Sequence, residues 1–343
     1  MRAVAHSPRV RRVRVFGARS NNIVGLVVIL SAVLAIFMAT FGCGENAPAG
    51  PIAQTEKAHR AMIENCPVFP ADNPWNTDIS GYPVHPNSEA FIASIGADKP
   101  LHEDFGTFYQ GAPSGIPYVV VHEDQPMAPV TFEYADESDP GPYRIPDDAP
   151  IEGGPDAEGD RHVLAVDVDN GILYELFHAF KMEKGWRASS GAIFDLKSND
   201  LRPLGWTSAD AAGLPIFPGL VRYDEVVEKG EINHALRFTV RRSQRGYILP
   251  GTHFASRSSD ASLPPMGLRV RLKADFDISG MPKEAQVILT ALKKYGMIVA
   301  DNGGDWFISG APDPRWNEEA VRAIRQVKGS DLEAVDTGPI HTG

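Results

Sequence analysis

From Cys66 to about Asp275 the chain reads as short β-prone runs divided by glycine and proline. Ile116–His122, Val130–Tyr134, His162–Val168, Ile172–Phe180, Ala192–Leu196, Ala235–Val240 and Leu268–Ala274 are the expected strands. The strongest local signal is a hairpin, because the arms Val163–Val168 and Ile172–Phe177 flank Asn170-Gly171, a pair that supplies the positive φ angles of a tight turn. With those two residues at the centre, Asp169 faces Ile172, Val166 faces Glu175 and His162 faces Ala179. The period then changes. Ala285, Ile288, Leu289 and Leu292 form a helical stripe within Pro282–Tyr295, closed by Gly296. Met297–Ala300 and Trp306–Ser309 bracket Asp301-Asn-Gly-Gly-Asp305 and read as a second hairpin, followed by a helix over Asn317–Val327 and a strand at Leu332–Val335. Many short strands and few helices, two of them near the C-terminus, predict a mainly β fold. An antiparallel β-sandwich or jelly roll fits that pattern.

The N-terminus has a different texture. The first 22 residues hold six arginines and no carboxylate, and Ile23–Phe41 then runs 19 residues without a charge. Such a helix reaches about 28 Å, close to the thickness of a bilayer core. The arginines hold the start of the chain on the cytoplasmic side, so the remainder is expected outside. Cleavage, an uncleaved anchor and lipidation at Cys43 all fit, since Thr40-Phe41-Gly42-Cys43-Gly44 is an imperfect lipoprotein box. The expected organisation is a basic segment (1–22), a signal or anchor (23–42) and a spacer (43–65) that includes a short helix over Thr55–Asn65. A single β-rich domain (66–337) and a tail (338–343) complete it. No linker interrupts the domain.

Charge narrows the partners. Of 33 basic residues six lie in the N-terminal segment, leaving 27 against 44 acidic ones. That surface disfavours nucleic acid and anionic lipid, so the membrane is met only through the N-terminal segment. With only Cys43 and Cys66 present, Cys66 is expected without a disulfide partner, and clusters that need several thiolates are excluded.

No nucleophile elbow, phosphate-binding loop, dinucleotide fingerprint or zinc-protease motif occurs. The candidates are therefore scattered polar residues. His162 and Glu175 share a sheet face in the expected hairpin but stand about four residues apart, roughly 13 Å, so only a substrate could join them. His178 falls on the opposite face, as a core histidine. Glu175 and Asp195 are the carboxylates that a glycosidase would need across a groove. His253 sits on a loop after a strand, where functional residues concentrate. Trp206, Arg222 and Trp306 are candidates for holding substrate; their ordinary alternatives are core packing and, for Arg222 with Asp224 and Glu225, a solvated ion-pair cluster. Thr207 or Ser208 reads as a helix N-cap. No metal site is expected from motifs, although Asp301 and Asp305 could ligate calcium without forming an EF-hand.

The blocks Gly205–Leu220 (GWTSADAAGLPIFPGL), His234–Phe238 (HALRF), Pro264–Lys273 (PPMGLRVRLK) and Ala291–Asp301 (ALKKYGMIVAD) resemble a family of exported bacterial proteins. The resemblance implies export and brings no activity, ligand or site residue with it. Export, acidity and a β-rich body together lead to the expectation of a cell-envelope or secreted carbohydrate-active enzyme, a glycoside hydrolase or polysaccharide lyase acting on polysaccharide. The other expectation is a non-catalytic surface or glycan-binding protein.

Overall fold

Val163–Asp167 and Ile172–Phe177 are nearly continuous apolar runs, and every residue of the first strand is buried. The two strands pair antiparallel as expected, but Asp167 faces Ile172 and Leu164 faces Glu175. The connection therefore spans 168–171 and is longer than a two-residue turn. Asp167 closes it: its Oδ1 accepts from the Asn170 backbone N–H at 3.0 Å, its Oδ2 from Asn170 Nδ2 at 2.9 Å, and its carbonyl from the Gly171 N–H at 2.8 Å. Arg144 neutralises the same buried carboxylate at 2.8 Å. The slip amounts to two residues, so each side chain keeps its face. His162 now lies two residues from the partner of Glu175, about 7 Å along the strand rather than 13 Å.

The structure, a computed structural model, describes residues 60–342. The basic segment, the apolar stretch, Cys43 and residues 55–59 of the expected first helix lie outside the described residues. Among those described, no helix is long and apolar enough to cross a membrane. The fold is mainly β with few helices.

A four-stranded sheet runs Ser190–Asp195, Ile172–Phe177, Val163–Asp167, Tyr118–Val121, the last pair parallel. It is covered on both faces, which is why its strands read as nearly continuous apolar runs. Leu164, Val166, Leu173, Ala192 and Phe194 join the main core. Val163, Ala165, Tyr174 and Leu176 join a smaller core with Tyr143, Trp186 and Ala188. Trp186 and Ala188 belong to a three-stranded sheet of Phe180–Lys181, Trp186–Ala188 and Val130–Phe132.

A six-stranded sheet lies on the other side of the main core, in the order Leu332–Ala334, Arg269–Leu272, Met297–Asn302, Leu236–Val240, Phe307–Ser309, His102–Asp104. Two of its pairings are parallel, so mixed sheets replace the antiparallel pairing expected throughout. The expected second hairpin does not form. Leu236–Val240 inserts between Met297–Asn302 and Phe307–Ser309, parallel to the first and antiparallel to the second. All five residues of the inserted strand are buried, and a partner on each side satisfies backbone groups that an edge position would leave unpaired.

Helix α1 (Ser88–Ile95) buries Phe91, Ile92 and Ile95 and has no counterpart in the sequence-based expectation. Helix α2 (Lys283–Lys294) packs its expected stripe on the Arg269–Leu272 strand, with Lys293 and Lys294 at its C-terminal end. Helix α3 (Glu318–Arg322), capped by Asn317, continues as a 3₁₀ turn to Gln326. Met62–Ile63 pairs with Cys66–Pro67 where helix was expected, and His341 exchanges two backbone bonds with Tyr247, so the packed unit reaches beyond 66–337 at both ends. Cys66 is buried and, among the described residues, makes no disulfide.

Candidate active site

A charged residue in the middle of an apolar strand needs a partner, and Arg237 is such a residue. Its guanidinium is buried. Nε and Nη2 each donate to an oxygen of Asp210 at 2.7 Å, and Nη1 donates to Ser309 Oγ. Asp210 reaches it from a folded loop. Ser208 Oγ accepts from the Asp210 N–H at 2.9 Å and donates to the Leu214 carbonyl at 2.6 Å, while Thr207 Oγ1 donates to the Asp210 carbonyl at 3.1 Å. These hydroxyls shape a turn rather than cap a helix. Gly213 completes it at φ +72°, where a Cβ would strike Thr252 and the Trp206 carbonyl.

Asp301 stands beside this pair. The bulge between Phe238 and Thr239 brings Asp301 opposite Thr239, with a carboxylate oxygen 3.9 Å from Arg237 Nη2. Asp210 already neutralises Arg237, so Asp301 is a surplus carboxylate. Burial and the Asp210 charge push it up to about 7, yet its side chain remains 27% exposed. Asp104 ends the neighbouring edge strand opposite Ser309 and lies within Coulombic reach of Arg237 and Glu152.

Glu152 and His162 form the other half. His162 Nδ1 lies 2.6 Å from Glu152 Oε2, and Nε2 lies 3.1 Å from the Ala209 carbonyl, next to Asp210. Acceptors at both nitrogens specify an imidazolium. Burial opposes that charge, but Glu152 overrides it and pushes His162 up to about 9. Burial likewise opposes ionisation of Glu152, and His162 outweighs it, holding the carboxyl below the ordinary range. Glu152 is 26% exposed while His162 is almost fully covered. Two carboxylates thus reach solvent, each backed by a buried cation.

Most residues chosen from the sequence lie elsewhere. Glu175 is fully buried; its Oε1 accepts from the Ile216 and Phe217 N–H groups at 2.9 Å, and burial pushes it up to about 7 against those bonds. Asp195 is exposed and accepts from the Lys197 N–H at 2.8 Å. Ala192 is the residue opposite Glu175, so Asp195 lies three positions further on and on the other face, roughly 10 Å away. The Glu175/Asp195 pair therefore does not form. His253 is half-buried, with Nδ1 2.7 Å from the Ala211 carbonyl, and supports the Asp210 loop. His178 is half-buried at Ser189, 3.2 Å away.

Arg222 is not a solvated ion pair. It is buried between Asp224 at 3.2 Å and Glu225 at 2.7 Å, and Glu225 also meets the buried His234 at 3.0 Å. No face of Arg222 is left for a substrate. Trp306 is likewise buried, its Nε1 donating to the Gly96 carbonyl at 2.9 Å. Trp206 is half-buried beside Arg202 and keeps an open edge. The expected calcium carboxylates are divided, since Asp305 is held by Lys99 at 2.6 Å and by the Arg241 N–H at 2.7 Å. Among the described residues no group of three or more His, Cys, Asp or Glu is arranged to hold a metal.

Asp104, Glu152, Asp210 and Arg237 were missed, and Asp301 was read only as a turn or calcium residue. The available signal was Arg237 within the apolar run of HALRF, which calls for buried polar compensation without saying which residue supplies it. Comparison with known protein families, with curated proteins and with solved structures finds no match.

Proposed function

We propose that this chain is an extracytoplasmic glycoside hydrolase whose acid and base are Asp301 and Glu152. The observation that carries the reading is the pair of solvent-reaching carboxylates set around two buried cations, one carboxylate surplus and the other ion-paired. Two carboxyl groups in contrasting environments divide the labour of acid and base. Asp301, protonated near neutrality, donates to the leaving oxygen as the glycosidic bond breaks. Water adds at the anomeric carbon, and its proton passes to ionised Glu152. Asp210 and Ser309 hold Arg237, and Arg237 sets the position of Asp301. Hydrolysis is favoured over a lyase reaction because a lyase must neutralise a uronate carboxylate. The guanidinium at this site is already taken by Asp210.

Export through the N-terminal segment, with lipidation at Cys43 or a retained anchor, belongs to the same proposal and rests on the arginines and the apolar stretch. A panel of polysaccharides assayed for reducing ends and for unsaturated products tests it. Reducing ends released by the wild-type chain, and lost in Asp301→Asn and Glu152→Gln, support the reading. Unsaturated products would replace it with a lyase, and binding without turnover would make the protein a glycan-binding one.

A further inference from the structure

A cleft of about 490 Å³ opens beside Asp104. Asp104 is common to this cleft and to the acidic site, because it pairs across the strands with Ser309, which holds Arg237. The cleft is large enough for a sugar ring and its hydroxyls. One wall is His102 stacked on Phe307, with centroids 3.9 Å apart and planes 4° from parallel. His102 Nε2 lies 3.2 Å from Arg325, which fixes the ring against this wall, and its Nδ1 is buried without a hydrogen-bond partner. At the lip, Phe108 and Tyr109 are 62% and 68% exposed on a two-stranded hairpin, an unusual place for two adjacent aromatics with nothing to cover them.

The charges decide what such a cleft accepts. Its guanidinium groups lie among carboxylates: Arg325 meets Glu103 at 2.8 Å, and Arg322, largely exposed, lies more loosely at 3.7 Å from both Glu103 and Glu318. Two arginines face three carboxylates, counting Asp104, which leaves a net negative cleft. An anionic sugar would be repelled. A neutral ring would find aromatic faces for its C–H surface and planar acceptors and donors for its hydroxyls.

We propose that this cleft is a subsite for an uncharged sugar of the polysaccharide, adjoining the bond to be cleaved. The proposal rests on the hydrolase reading and extends it to a substrate class, the neutral glycans. Calorimetric titration of the full chain carrying Asp301→Asn provides the test, with hexasaccharides of β-1,4-glucan, α-1,4-glucan, β-1,4-xylan and α-1,5-arabinan as neutral probes and hexagalacturonate as the anionic one. A neutral probe should bind, and Phe108→Ala with Tyr109→Ala should weaken it at least tenfold while leaving the thermal transition unchanged, since both side chains are exposed. In the Asp301-intact background the same double substitution should raise KM and spare kcat. Binding that ignores the double substitution, tighter binding of hexagalacturonate, or no binding by any neutral probe overturns the subsite. Binding that behaves as expected without turnover sinks only the acid/base reading, so the two failures are distinguishable.

Discussion

Replacing Glu175 with glutamine separates structure from catalysis at the carboxylate most visible in the sequence. The folded chain holds this carboxyl at about 7 instead of 4.5, because burial penalises the charge more than the Ile216 and Phe217 amides stabilise it. The folded state therefore binds the proton more tightly than the unfolded one. The resulting stabilisation is complete below about pH 4.5 and disappears as pH rises through 7. At about 1.4 kcal/mol per pH unit across that window, the wild-type chain loses roughly 3 kcal/mol from this group alone. Glutamine does not titrate, and its Oε1 can accept the same two N–H bonds. Urea unfolding followed by tryptophan fluorescence from pH 4.5 to 8.5 should show the wild type losing stability relative to Glu175→Gln up to pH 7, and a constant difference above it. Glu175→Ala should cost about 2–5 kcal/mol at pH 4.5, by leaving two buried N–H groups unpaired around a cavity, and less above pH 7, where the wild type has already lost the contribution of the bound proton. Parallel profiles for wild type and Glu175→Gln would refute the burial argument. Lost turnover with parallel profiles would return Glu175 to the chemistry.

Asp301→Asn should lower kcat about 10²–10⁴-fold. It should also abolish the alkaline limb of the kcat/KM profile, which in the wild type falls as pH rises through about 7 because the acid must carry its proton; a limb that persists assigns the acid elsewhere. Arg237→Met strands the buried Asp210 and should destabilise by about 3–5 kcal/mol, whereas Arg237→Met combined with Asp210→Leu should recover most of that loss. Chemical unfolding of the four members of this cycle measures it, and additive losses would deny the pairing. The Cys66 thiol, buried and raised by that burial, should resist alkylation in the native chain and react on unfolding, as read by peptide mass mapping. Rapid native labelling would show the covering to be wrong.

The strands were legible because burial on both sheet faces writes apolar, β-branched runs whatever their neighbours are. Helix α2 was legible from its stripe. Registration was not, since Asp167 rather than the Asn-Gly pair decides where the hairpin closes, and that depends on Arg144 reaching the same carboxylate from 23 residues away. The inserted strand was hidden for a related reason. A turn-rich segment between two strands signals a hairpin, and nothing local announces that Leu236–Val240 will occupy the space between them.

The acidic site shows the same division more sharply. Arg222, Arg237 and Arg269 each interrupt an apolar stretch, so the sequence displays three demands for compensation. Arg222 is answered within three residues by Asp224 and Glu225, a local solution. Arg269 is answered by the carbonyls of Tyr295, Pro74 and Thr77, with no carboxylate in its salt bridges among the described residues. Arg237 is answered by two carboxylates that are both distant in sequence, Asp210 at 27 residues' distance and, more loosely at 3.9 Å, Asp301 near the end of a neighbouring strand. That second carboxylate is superfluous to folding. Replacing it with asparagine should leave stability near neutrality unchanged or improved, because a half-buried acid pushed up to about 7 is partly ionised there at a cost. A residue whose removal spares the fold and ends turnover is retained for chemistry, and thermal unfolding of Asp301→Asn at pH 8 beside its kinetics tests that distinction. Marked destabilisation by this substitution would make Asp301 one more structural partner of Arg237.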